Sequence, residues 1–449
     1  MMLGRDRALE TLSRAVDLGG ADGLEAALFA SDTNLTRFAN SYIHQNISKR
    51  DATVTVRAVV DGNRVGMVTT NDLSDDGLAR AVEGAAASAG IVPPNPRFTG
   101  FPGPQEFPEV EAWVAETHRT EAGFRADEVA KIIAAGDEYG FNASGAYVTG
   151  GNEVALVNSL GLKAYHCGTR AAVNTTILSR TSAGWSAADS KDVRDLDAAA
   201  IGRRATEKCR DGQHPTDLEP AEYDVIVEHR GVAGLLGMMG YIGFNGLAFA
   251  EGRSFAVDKL GEKLFSDEFT LVDDARDPSG NPLPFDFEGM PKKRVPLVEA
   301  GVLKAVVHDR TSAKMVGAES TGHGLPPASA SYGAIPMNLF MTGGGSSLEE
   351  MVAATQRGLL VTHFHYLNPF LDPMQLLFTG MTRDGTFLIE DGKVSRPVKN
   401  LRFTESMLRA FSQIEALSAD TLLIAEDFSS IRVPAVKFKG FRFTSSTEF

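Results

Sequence analysis

Val56-Arg57-Ala58-Val59-Val60-Asp61-Gly62-Asn63-Arg64-Val65-Gly66 places β-forming residues on both sides of an Asp-Gly pair. Such a stretch reads as two antiparallel strands joined by a tight turn. Upstream, strand-like runs are predicted over residues 24–29, 35–39 and 52–60, and the second arm of the hairpin runs over 64–68. Before them, Leu9, Leu12 and Val16 fall on one stripe of a helix. After the hairpin the period changes. Leu78, Val82, Ala85, Ala86 and Ala89 share a helical face over 73–89, with Ser74 or Asp72 able to cap its start. Hairpins and helices thus alternate irregularly, and no βαβ rhythm appears.

Between residues 93 and 108 stand Pro93, Pro94, Pro96, Pro102, Pro104 and Pro108. Proline fixes φ and lacks a donor, so an extended connection is predicted here, pinned to the body by Phe98, Phe101 and Phe107. A helix follows over 125–139, then strands at 145–148, 153–158 and 161–178, and a helix at 198–210. His214-Pro215-Thr216-Asp217 reads as a boundary. Beyond it come a strand at 223–227, a glycine-punctuated helix at 231–246 and a β-rich stretch from 269 to 308. Ser347 and Glu350 form a capping-box pattern, which accounts for the Gly343-Gly344-Gly345 run without a phosphate. Strands are predicted at 359–365, 385–390 and 394–398, with Asp391-Gly392 as another turn. The fold class is therefore α+β. A mixed N-terminal domain over 1–215 precedes a β-rich C-terminal domain with a few helices over 216–449.

Forty-four basic residues against 58 acidic ones leave a formal charge of −14. That balance repels phosphate backbones, so nucleic acid is not an expected partner. Lys292-Lys293-Arg294 is the densest basic run and reads as a solvated turn. The two cysteines, Cys167 and Cys209, lack metal or redox spacing, which fits a reducing cytoplasm. Residues 1–15 contain no apolar core of a signal peptide, and no run is long enough to span a membrane. A soluble cytoplasmic protein is the expectation.

The chemistry-bearing residues are sparse. None of the nine histidines has a second histidine one helical turn away, so a standard zincin helix is absent. His363 and His365 sit two apart on a predicted strand and face one way, as two ligands of one metal would. No third ligand can be picked from sequence, and two plain groove or surface histidines are the preferred reading. No G-x-S-x-G elbow or dinucleotide fingerprint is present either.

The ordered series of segments carries more. Residues 35–45, the hairpin above and Thr70-Asn71-Asp72-Leu73 are followed by Asp286-Phe287-Glu288-Gly289, Asp309-Arg310 and Ser320-Thr321-Gly322-His323-Gly324. The 343–347 loop and Ile389-Glu390-Asp391-Gly392 close the series. In this order they resemble the TldD/PmbA family, over nearly the whole chain. The resemblance implies paired subunits forming a zinc-dependent peptidase that acts on unfolded or short polypeptides. In the TldD type, an H-E-x-x-x-H helix and a late cysteine hold the metal. Here that helix falls on 235–242, and Gly237, Met238 and Ile242 occupy the positions of histidine, glutamate and histidine. The late cysteine falls near Ala425-Glu426-Asp427, where none is present. This is the pattern of the PmbA (TldE) type. It implies no catalytic residue and no cofactor in this chain, with zinc held by a TldD-like partner subunit.

The implied role is chamber architecture and substrate restriction, with Thr321, Gly322 and His323 as candidate groove-lining residues. A plain turn is the alternative for that loop. Two rival functions stand beside this one. The first is an independent metal-dependent hydrolase built on His363 and His365. The second is a non-catalytic homodimer that binds peptides or regulates.

Overall fold

The computed structural model describes residues 2–425 and 430–447. The N-terminal part is built on one six-stranded antiparallel sheet. Its strands are β1 (Gly23–Ala39), β2 (Tyr42–Val60), β3 (Arg64–Thr70), β4 (Asn142–Asn158), β5 (Lys163–Leu178) and β6 (Ala183–Ser190), ordered β3-β2-β1-β4-β5-β6. The turn between β2 and β3 is the predicted one. Asp61 and Gly62 both take positive φ, 52° and 75°, as a tight hairpin turn requires.

The strands are longer than the pattern predicts. Runs 24–29 and 35–39 belong to a single strand, because Ser31, Asp32, Thr33 and Asn34 stay in register with Asp51, Arg50, Lys49 and Ser48 of β2. Cross-strand pairing holds a polar stretch that reads locally as a break. The same fusion joins 145–148 and 153–158 into β4.

Side-chain alternation gives this sheet two different faces. Leu24, Ala26 and Leu28 of β1 pack with Leu12 of the Arg5–Asp17 helix and Leu78 and Val82 of the Asp75–Ile91 helix. Further along the same face, Tyr147 and Val173 meet Val129 and Ile132 of the Ala122–Asp137 helix and Ile201 of the Ala198–Asp211 helix. Ser74 caps the Asp75–Ile91 helix by accepting from the Gly77 N–H at 3.1 Å. On the opposite face, Ala27, Leu156 and Ala164 surround Phe285, a residue of the C-terminal part. The proline-rich connection crosses that seam. Phe107 lies 5.1 Å from Phe285 between ring centres, and Phe98 meets Phe101 edge-on at 5.6 Å.

The C-terminal part holds two further sheets. One has six short strands in the order Val302–Leu303, Val295–Glu299, Leu271–Asp273, Asn338–Met341, Ser430–Val433 and Leu422–Ala425. In the other, Arg357–Asp372, Glu222–Val227, Val436–Ser446, Leu401–Ser406 and Leu377–Glu390 pair in turn. Arg357–Asp372 then pairs back onto Leu377–Glu390. The circuit of these five strands closes on itself, while Lys393–Pro397 pairs only with Leu377–Glu390 and Ile414–Leu417 only with Val436–Ser446 among the described residues. Phe364, Phe403, Phe438, Phe441 and Phe411 fill its core. Ser347 and Glu350 form the predicted capping box of the Leu348–Ala353 helix.

Candidate functional site

The glycine-punctuated helix spans His229–Ile242, and a separate short helix, Gly246–Ala250, follows it. The predicted single helix over 231–246 is split because Asn245 turns the chain. Its side chain accepts from the Leu247 and Ala248 N–H groups and donates to the carbonyls of Tyr241 and Tyr332. Gly231 is dictated by packing: a Cβ there would lie 2.4 Å from the Val227 side chain. Val232, Leu235, Leu236, Met239 and Ile242 are buried. Gly234, Gly237, Met238 and Tyr241 form the half-exposed stripe.

The three positions that the resemblance assigns to metal binding can be judged on their surroundings. Gly237 has no side chain to offer. Met238 packs against the hydrophobic core, and Ile242 is a buried member of it. A thioether and two apolar positions do not fit zinc. The late-cysteine position involves Glu426 and Asp427, which lie outside the described residues. Among the described residues, no group of three or more His, Cys, Asp or Glu side chains is placed to hold a metal ion. His363 and His365 do share a side of their strand, with buried Phe364 between them. His363 Nε2 lies 2.9 Å from the Asp384 carboxylate, and its ring sits 5.2 Å from that of Trp185. His365 is exposed. No third ligand joins them among the described residues.

Of the candidate groove-lining residues, Thr321 is partly buried and Gly322 and His323 are buried. His323 is wholly buried, with Nε2 2.8 Å from Asp273 and Nδ1 2.9 Å from the Thr321 hydroxyl. Gly322 has φ 75°, and a Cβ there would strike the Pro291 carbonyl at 2.4 Å. The glycine-flanked polar run looks exposed in sequence because its counterpart, Asp273, stands fifty residues earlier. Lys292, expected in a solvated turn, is also buried, and its Nζ has no hydrogen-bond partner. Burial lowers its pKa, against the opposing influence of the Asp273 and Asp286 carboxylates. Burial, and then the Lys292 charge, lower the His323 pKa, which favours the neutral ring.

Beside these buried groups lies a cavity of about 460 Å³ at the seam between the two parts. Arg57, Arg97, Arg253 and Arg310 line it, with Glu288 and Asp309 in its wall. The backbone N–H of Arg310 donates to Glu288 at 2.8 Å. Burial, followed by the neighbouring Asp286 and Asp309 carboxylates, pushes Glu288 up to about 8. Burial likewise raises Asp286 to about 6. A second cavity, about 170 Å³, is lined by Tyr241, Ile242, Asn245, Tyr332 and Phe370. Arg253 and Ser331 line both. Sequence reading marked Asp286–Gly289 and Asp309-Arg310 only as segments in a series. The arginines are scattered over more than 250 positions, so no local motif announced them.

Three sheets, one of them closed on itself, with helices packed against them, define an α+β protein. Three family models match it: PmbA/TldA metallopeptidase domain 1 over 25–89, the central domain over 106–211 and the C-terminal domain over 220–445. The chain belongs to the PmbA/TldD metallopeptidase family. It is 24% identical to metalloprotease PmbA of Escherichia coli O157:H7 over 455 residues, covering 96% of each chain. The metalloprotease TldD homolog of Haemophilus influenzae is 27% identical over 170 residues, 37% of this chain and 34% of that protein. The match thus spans about a third of such TldD homologues. In fold, TldE of Thermococcus kodakarensis superposes with a TM-score of 0.89 at 24% identity, covering 97% of this chain and all of that one. Among the described residues no helix is long and apolar enough to cross a membrane.

Proposed function

We propose that this chain is the metal-free subunit of a cytoplasmic zinc metallopeptidase complex, assembled with a TldD-like, zinc-bearing partner and acting on unfolded or short peptides. Its own contribution is architectural: it completes the chamber and restricts what enters. The observation that carries this reading is the set Gly237, Met238 and Ile242 on the His229–Ile242 helix, none of which offers a zinc ligand. The match to PmbA along the full length, against a partial match to TldD homologues, supports the same assignment. Hydrolysis by metal-activated water belongs in this reading to the partner subunit.

The test is co-expression with a TldD-like chain, followed by zinc analysis and cleavage of an unfolded polypeptide. The expected result is near-zero zinc in this chain alone, about one zinc per mixed complex, and cleavage by the complex only. About one zinc in the isolated chain, or cleavage by it that His363→Ala abolishes, would overturn the proposal in favour of an independent hydrolase. A stable homodimer that binds peptide and refuses the partner would favour the regulatory reading.

A further inference from the structure

The four arginines at the seam come from distant segments: Arg57 from β2, Arg97 from the proline-rich connection, and Arg253 and Arg310 from the C-terminal part. Their counter-charges are fewer than they are. Arg57 is held by Glu25 at 2.5 Å. Arg97 and Arg253 share one carboxylate, Glu251, at 2.7 and 2.5 Å. The Arg310 guanidinium donates to the carbonyls of Thr99 and Gly100 and makes no ion pair within 4 Å among the described residues. Of the three acids in the wall, Glu251 serves Arg97 and Arg253 together, Asp309 is occupied in capping Ser312, and Glu288 accepts the backbone N–H of Arg310. Four guanidinium groups around one cavity, with only Glu25 and Glu251 in ion pairs with them among the described residues, stand out in a chain whose net charge is −14.

The neighbouring cavity supplies the other half of a recognition site. It is walled by Tyr241, Tyr332 and Phe370, and it meets the arginine cavity at Arg253 and Ser331. Phe370 and Tyr332 are more than half exposed. Aromatic faces bind apolar side chains and guanidinium forks bind carboxylates, often bidentately. The larger volume is within the range of pockets that hold small ligands.

We infer that the two cavities form one groove that binds an extended peptide, with an apolar side chain on the aromatic wall and a carboxylate of the peptide in the arginine cavity. The carboxylate is the peptide's C-terminus or an acidic side chain near it. This inference rests on the peptide-handling reading above and narrows its substrate class to peptides bearing a carboxylate at that end.

The test uses the purified full chain and fluorescein-labelled pentapeptides containing phenylalanine. One ends in a free acid, one in an amide, and one in an amide preceded by aspartate. Anisotropy titration should give affinity at least about tenfold higher for the free acid than for the neutral amide, as a charge-assisted pair provides. The aspartate amide tells which carboxylate is read: recovery of affinity assigns a side chain, and no recovery assigns the C-terminus. Arg253→Gln and Arg97→Gln, both at exposed positions, should remove the discrimination between acid and amide without lowering the melting temperature. Equal affinity for acid and neutral amide would overturn the groove, as would variants that leave the discrimination intact. Displacement of the acid peptide by inorganic phosphate at concentrations below the peptide's own Kd would also overturn it and reassign the cavity to a phosphate ligand. The titration needs no partner subunit, so its failure is separable from failure to assemble or to cleave.

Discussion

Glu288 accepts the backbone N–H of Arg310 at 2.8 Å, while the guanidinium of the same arginine reaches across the seam to the carbonyls of Thr99 and Gly100. One residue therefore ties a buried carboxyl of the C-terminal part to the proline-rich connection of the N-terminal part. The seam, the buried charged groups and the arginine cavity are one connected structure, and perturbing any of them reports on the others.

The raised pKa of Glu288 gives that structure a pH signature. Burial is the main cause, with Asp286 and Asp309 adding to it and Arg310 opposing it. A carboxyl whose folded pKa is about 8, against an ordinary value of 4.5, binds more proton folded than unfolded between those limits. Its contribution to stability is full below about 4.5 and is lost as pH rises toward 8. Asp286, raised to about 6, adds its own loss below that pH, so the interval from 6 to 8 isolates Glu288. Wild type should lose about 2 kcal/mol from this group across that interval. Glu288→Gln should show a flatter dependence in urea denaturation at pH 6, 7 and 8. Parallel curves for the two proteins would refute the assignment.

Lys292 tests the buried charges themselves. Its ammonium is buried with no hydrogen-bond partner and is acted on by the Asp273 and Asp286 carboxylates, so its value is as a counter-charge. Lys292→Met keeps most of the volume and removes the charge, leaving two buried carboxylates to protonate or repel. The expected loss is about 1–3 kcal/mol at neutral pH, the scale of leaving buried polar groups uncompensated. The loss should shrink at low pH, where the carboxylates take up protons. A melting temperature within a degree or two of wild type at pH 7 would show that solvent reaches these groups.

His363→Ala separates structure from metal chemistry. His363 bonds Asp384 and packs at a tilt beside Trp185, which is reason enough for a histidine there. The variant should lose about 1 kcal/mol of stability, the scale of one partly buried hydrogen bond. Zinc content of the isolated chain and cleavage by the assembled complex should not change. A fall in either would place His363 in a metal site.

These residues also mark the limit of what the sequence discloses. The Asp61-Gly62 hairpin, the Ser74 cap and the Ser347–Glu350 box were legible because local steric and hydrogen-bonding rules decide them. The continuity of β1 through Asp32–Asn34 was not, since only pairing with β2 holds those polar residues extended. His323 and Lys292 read as surface groups because their counter-charges, Asp273 and Asp286, lie on other segments. The arginine cavity was invisible for the same reason: it exists only where β2, the proline-rich connection and two C-terminal segments converge.

The seam's own strength rests on apolar contact more than on its ion pairs. Phe107 packs at a tilt against Phe285, which is almost wholly buried among Ala27, Leu156 and Ala164 of the N-terminal sheet. Arg97 and Glu251 also cross the seam, at 2.7 Å, but the arginine side chain is about half exposed. Exposed pairs contribute under about 1 kcal/mol, whereas truncating a half-buried phenylalanine on an aromatic partner costs about 2–3 kcal/mol. Phe107→Ala should therefore loosen the proline-rich connection and speed proteolytic nicking within residues 93–108. Arg97→Ala should leave the nicking rate near wild type in moderate salt. If Arg97→Ala nicks as fast as Phe107→Ala, the connection is held by charge, and the packing of Phe107 on Phe285 is incidental to the joining of the two parts.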